Sequence, residues 1–156
     1  MMTAPTIRHQ AGIWSVPLDD ARSPYPFARM HRRYATLPYY TVAVVDTAKF
    51  MACFANEDPN FWVPPAAEWG AMQLARHRDR LAPGTASAEM PIVHIEERPI
   101  IRRRLFGLLK RLEMLPVVSF TNGRHRARYL EFAGATAIPV EIELGQLETL
   151  LRYCHP

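Results

Sequence analysis

The sequence predicts an α/β (α+β) fold, a single domain built round a small mixed sheet. Two short apolar, β-branched runs, Val117–Phe120 and Ala137–Ile142, flank a tight turn and a helix-length stretch. Two further runs, Tyr40–Val45 and Pro91–Ile95, have the same character and supply more strands. Stretches with helical spacing of apolar residues lie between them, so strands and helices alternate. At 156 residues the chain suffices for one domain with a sizeable core.

Residues 1–39 read as an irregular arm. The stretch Ser23-Pro24-Tyr25-Pro26 opposes regular structure, because proline lacks an N–H and restricts its predecessor. Arg29, His31, Arg32 and Arg33 form a basic cluster among aromatic residues. That mixture suits an arm anchored to the domain surface, or rings that stack on single-stranded nucleic acid. Met1–Ser15 has no apolar segment of signal-peptide length.

The main domain spans residues 40–156. Tyr40–Val45 is a strand, and Asp46 caps a mostly apolar helix over Thr47–Asn56. Phe61, Trp62 and Trp69 flank Pro64-Pro65 and are expected in the core. A helix over Ala66–Arg80 ends before Pro83-Gly84, and Gly84–Glu89 is a small polar loop. Pro91–Ile95 is a strand closed by Glu96-Glu97. Ile100–Leu115 reads as an amphipathic helix, with Ile101, Leu105, Leu108, Leu109 and Leu112 on one arc. Its other side carries Arg103, Arg104, Lys110 and Arg111, a face suited to non-specific contact with DNA phosphates or to an acidic partner. Gly145–Tyr153 is a final short helix.

The stretch Val117–Ile142 carries the chemistry. Thr121-Asn122-Gly123 turns the chain into a helix over Arg124–Ala133, which stops at Gly134. The first N–H groups of that helix lack partners at the tip of the strand, and the helix dipole adds positive charge there. Arg124, His125 and Arg126 add cationic donors in the first turn. The residues thus predict a phosphate- or carboxylate-binding cradle at Asn122, Gly123, Arg124, His125 and Arg126. On a helical wheel Arg126 falls within the apolar arc facing the sheet. It is either a cleft residue or a buried guanidinium satisfied by a carbonyl or carboxylate. Arg124 and Arg128 fall on the opposite, solvated strip.

The run Val-Ser-Phe-Thr-Asn-Gly-Arg-His-Arg-Ala-Arg, with its strand–turn–helix–strand frame, resembles the signature turn of the ParB/sulfiredoxin superfamily. It is most similar to the plasmid fertility-inhibition factors within that superfamily. The resemblance rests on about 25 residues. It implies phosphate binding at Gly123, His125 and Arg126, and a cytoplasmic protein that blocks conjugative transfer of DNA. Sulfiredoxins carry a nucleophilic cysteine where this chain has Arg124, so repair of a sulfinic acid is not expected. Asn122 stands in place of the usual aspartate and removes one carboxylate that could hold a metal.

Two functional classes remain open at this stage. One is a phosphate-processing enzyme, a nucleotide hydrolase or nuclease, using ATP or another nucleotide with Mg²⁺. His125 and Arg126 are its catalytic candidates, the imidazole to move a proton and the guanidinium to hold developing charge. Asp46, Glu96 and Glu97 are its candidate metal ligands, with helix capping and solvation as their plain alternatives. The other class is a binding protein without turnover that engages DNA or the transfer machinery, such as its coupling protein. A ParB-like DNA-segregation module ranks below both, because no helix-turn-helix follows the motif. Of the 19 basic side chains 17 are arginines, the better phosphate ligands. Cys53 and Cys154 lack metal spacing and are expected reduced.

Overall fold

In the computed structural model, which describes residues 6–84 and 86–156, two four-stranded sheets share one core. The first sheet runs β1 (Arg8–Gln10), β2 (Ile13–Pro17), β3 (Phe27–His31) and β5 (Ala88–Glu89). Its first two pairings are antiparallel and β3–β5 is parallel. The second is ordered β4 (Tyr40–Asp46), β8 (Ala137–Glu143), β6 (Ile92–Arg104) and β7 (Leu109–Asn122). β4–β8 and β6–β7 are antiparallel, whereas β6 meets β8 in parallel at Ile92 and Glu141. Among the described residues there are four α-helices, α1 (Thr47–Phe54), α2 (Ala71–Arg80), α3 (Arg124–Phe132) and α4 (Leu147–Cys154). The mixed α/β class read from the sequence holds.

Local chemistry sets most of these elements. Asp46 accepts the Lys49 amide at 2.8 Å and starts α1. That helix buries Phe50 and Phe54, each worth roughly 1.5–3 kcal/mol over an exposed ring. At the end of α3, Gly134 is left-handed (φ 87°), and a Cβ there would lie 2.3 Å from the Asp19 side chain. Glycine is required twice over at that position. The expected helix at Ala66–Arg80 divides into a 3-10 turn, Ala66–Glu68, and α2. Between them Trp69 and Gly70 are extended.

Two expectations fail, each for a physical reason. The stretch 1–39 is not irregular: residues 8–31 hold three strands, and Val16, Ala28 and Met30 are buried in the common core. Its residues 1–5 lie outside those described. The prolines sit where sheets tolerate them, Pro17 at the end of β2 and Pro24 and Pro26 in the connection to β3. Likewise Thr85 of the expected Gly84–Glu89 loop lies outside the described residues, and Ala88–Glu89 form β5.

The second failure is the helix at Ile100–Leu115. Those residues are the far halves of β6 and β7, a two-stranded ribbon turned at Leu105–Leu108. Leu105, Phe106 and Gly107 all have positive φ. Leucine, arginine and lysine favour helix intrinsically, so propensity misleads here. Pairing with a strand begun at Ile92 overrides it. Gly107 between the two Leu/Arg-rich halves was the available turn signal.

Candidate anion-binding site

The turn between β7 and α3 is built around Gly123. Its φ of 89° is left-handed, and a Cβ there would approach Pro91 Cα to 2.9 Å. No side chain caps α3, and its first internal bond runs from the Ala127 amide to the Gly123 carbonyl at 2.9 Å. The amides of the first turn therefore stay free for an external acceptor.

A cavity of about 380 Å³ opens at this end of α3. Thr121, Asn122, Gly123, Arg124, His125 and Arg126 form one side, and His77, Arg80, Leu81 and Phe120 the other. Among the described residues no carboxylate lines it. Among the described residues Arg80, Arg124 and Arg126 have no ion-pair partner, although Arg124 donates to the Phe61 carbonyl at 3.3 Å. Arg126 donates from Nη1 to the Glu89 carbonyl, which orients the guanidinium and leaves other donors to spare. It is both a cleft residue and a partly buried arginine satisfied by a carbonyl. Burial lowers the Arg126 pKa, the nearby Glu89 carboxylate opposes that, and Arg80 adds to the lowering.

The sequence reading missed the α2 half of the site. His77 and Arg80 lie three residues apart on α2, a spacing that places both on one face. The His77 and His125 rings are nearly parallel, 10° apart, with centroids separated by 5.8 Å. The Trp69 ring lies 5.2 Å from His77 and 5.7 Å from His125. Burial, and after it repulsion from His125 and the surrounding arginines, holds His77 at about 4. Burial and Arg124 also lower His125. Both imidazoles are thus neutral near pH 7. An arriving anion would offset these penalties and favour their protonation.

Asn122 donates from Nδ2 to the Glu89 carboxylate at 3.2 Å, so it organises the rim of the cavity. Arg128, expected to be solvated, is buried at 4% exposure. It donates to the Val63 carbonyl at 2.9 Å and to Glu131 at 3.1 Å, and its guanidinium lies over the Phe54 and Trp62 rings. The wheel places it on the side away from the sheet. The chain from Phe61 to Trp69 covers that side, a long-range contact invisible to periodicity. Trp69 is buried, Trp62 partly so, and Phe61 is exposed.

The metal candidates do not converge. Asp46 caps α1, Glu96 pairs with Arg98, and Glu97 accepts from Tyr153. Among the described residues no group of three His, Cys, Asp or Glu side chains could hold a metal ion. The DNA candidates lie on the ribbon, away from the cavity. Arg103 and Lys110 face each other across the strands, whereas Arg104 and Arg111 lie on the opposite face, where Glu113 pairs with both.

No curated protein matches this sequence. A solved structure does match in fold: the crystal structure of an oncogenic suppression activity protein, a plasmid fertility inhibition factor, determined as its gold(I) cyanide derivative. It superposes with a TM-score of 0.62 at 16% identity, over 99% of this chain and 76% of that one. The model of the plasmid fertility inhibition factor family matches residues 42–155, which take in the motif turn and both halves of the cavity, and the chain belongs to that family.

Proposed function

We propose that this protein inhibits conjugative DNA transfer by binding phosphate groups in the cavity at the start of α3. One observation carries the reading: five cationic or titratable side chains, His77, Arg80, Arg124, His125 and Arg126, surround uncapped helix amides with no carboxylate among them. Such a cradle suits a dianion better than any neutral ligand. The phosphate belongs to a nucleotide or to the nucleic acid in transit. Asn122 and Gly123 shape the turn, and Arg126 is the principal ligand. His125 becomes a proton donor once an anion is bound. Its neutral imidazole is a candidate base for hydrolysis.

The ribbon supports a second contact. Arg103 and Lys110 lie on one of its faces, and Arg102, Arg104 and Arg111 on the other. It is a cationic two-stranded arm of the kind that fits a DNA groove. The same arm exposes Ile101, Phe106, Leu108 and Leu112, which suits a protein of the transfer machinery.

Calorimetric titration with sulfate, ATP, CTP and plasmid DNA, with and without Mg²⁺, tests the first reading. Arg126→Ala should weaken phosphate binding at least about tenfold, equivalent to ~1.4 kcal/mol. His125→Ala should weaken it less. Both variants, folded, should lose inhibition when conjugation frequencies are measured from donors that express them. Unchanged binding in Arg126→Ala would remove this assignment. Product release from ATP or DNA would add turnover to it.

A further inference from the structure

Cys53 and Cys154 are 101 residues apart in sequence, yet their sulfurs lie 3.8 Å apart in the folded chain. Both are free thiols and both are buried. Cys53 is in the last turn of α1 and Cys154 ends α4. The same two elements are tied a second time, where Lys49 Nζ donates to the His155 carbonyl at 2.7 Å.

We propose that Cys53 and Cys154 form an oxidation site, a reversible disulfide that clasps α4 onto α1. The sulfurs must close by about 1.7 Å to reach bonding distance. With a peroxide as oxidant, the Cys53 sulfur attacks one peroxide oxygen, giving a sulfenic acid and releasing water from hydrogen peroxide. The Cys154 sulfur then displaces the sulfenic hydroxyl, the S–S bond forms and a second water leaves. Two thiols are oxidised and one peroxide is reduced, so atoms and electrons balance.

Cys53 is the attacking residue on two grounds. It keeps 5% exposure where Cys154 has none. The hydrogen bond between the two thiols also holds Cys53 below its usual range, while that bond and burial push Cys154 up. Oxidant access follows from fraying of the last turn of α4, because helix ends open most readily. The clasp would also reach the anion cavity. Phe50 and Phe54 of α1 pack edge-on against Phe120 at 5.6 and 4.8 Å, and Phe120 lines that cavity.

The experiment treats the full chain, natively folded, with hydrogen peroxide or diamide. Wild type should lose two hydrogens in intact mass and yield one linked peptide containing both cysteines. Its melting temperature should rise by roughly 5–15 °C, because the bond closes a loop of about 100 residues. Dithiothreitol should reverse both changes. Cys53→Ser and Cys154→Ser should show neither change. The peptide map of wild type decides the matter even if a variant fails to fold. Oxidation that stops at sulfinic acid on Cys53, disulfides only between molecules, or two thiols that remain titratable after oxidant and unfolding would each overturn the proposal.

Discussion

His77 shows what a single half-buried base does to a basic cavity. The folded protein holds it at about 4, against ~6.5 in an unfolded chain. As pH falls below 6.5 the unfolded chain takes up this proton first, so the native state loses ground. The contribution of His77 is complete above pH 6.5 and disappears as pH approaches 4. Discounted for its partial exposure, the loss is on the order of 1–2 kcal/mol. Burial lowers His125 in the same direction, so the two effects reinforce each other. Urea denaturation between pH 7 and 4 should show stability dropping, and His77→Gln should flatten that slope. Phosphate in the buffer should also flatten it, by favouring the protonated imidazoles. A slope unchanged in His77→Gln would mean another group governs the acid limb.

The ribbon is strand where its sequence predicts helix, and the difference alters what it can bind. On a helix, Arg103, Arg104, Lys110 and Arg111 would share one face. Across two strands they divide, Arg103 with Lys110 on one side and Arg104 with Arg111 on the other. Glu113 lies within ion-pair distance of Arg102, Arg104 and Arg111, at 3.3, 3.7 and 3.6 Å, and partly neutralises that side. A duplex can meet only one face at once. The slope of log K against log salt should therefore be roughly −2, where four contacts on a common face would give about −3.6. Glu113→Gln should steepen the slope if the Arg104 face is in contact. Reversing Arg103 and Lys110 to glutamate should abolish it if theirs is. A slope near zero in filter-binding or anisotropy titrations would leave the ribbon to a protein partner.

At the scale of the molecule, the N-terminal strands are part of one folded body. Glu141 on β8 is fully buried, and it accepts from Arg32 Nε at 2.9 Å and from the Arg33 and Tyr34 amides at 2.8 and 3.1 Å. The basic cluster of Arg32 and Arg33 is thus partly engaged in holding the two sheets together. Glu141→Ala should destabilise the protein by about 3–5 kcal/mol, because it leaves Arg32 without its charge partner. Removing residues 1–39 should have a graver effect, stripping Val16, Ala28 and Met30 from the core and exposing Glu141. Circular dichroism melts on both variants check this. A truncated chain that melts cooperatively near the wild-type temperature would show that residues 40–156 fold alone.

The motif stretch was legible because its signals are local. The Asn122-Gly123 turn, the uncapped start of α3, Gly134 at its end and the flanking strands all follow from backbone chemistry within a few residues. Asp46 as a cap and the strands at Tyr40 and Ile92 were legible on the same ground. What lay beyond the sequence depends on pairing between distant segments. His77 and Arg80 join the cavity only because α2 packs against α3. Arg128 is buried only because Val63 and its neighbours cross over it. The ribbon is strand only because β6 offers β7 a partner, where the same leucines and arginines favour helix by themselves. Periodicity records which face of an element is apolar, but tertiary contact decides what covers that face.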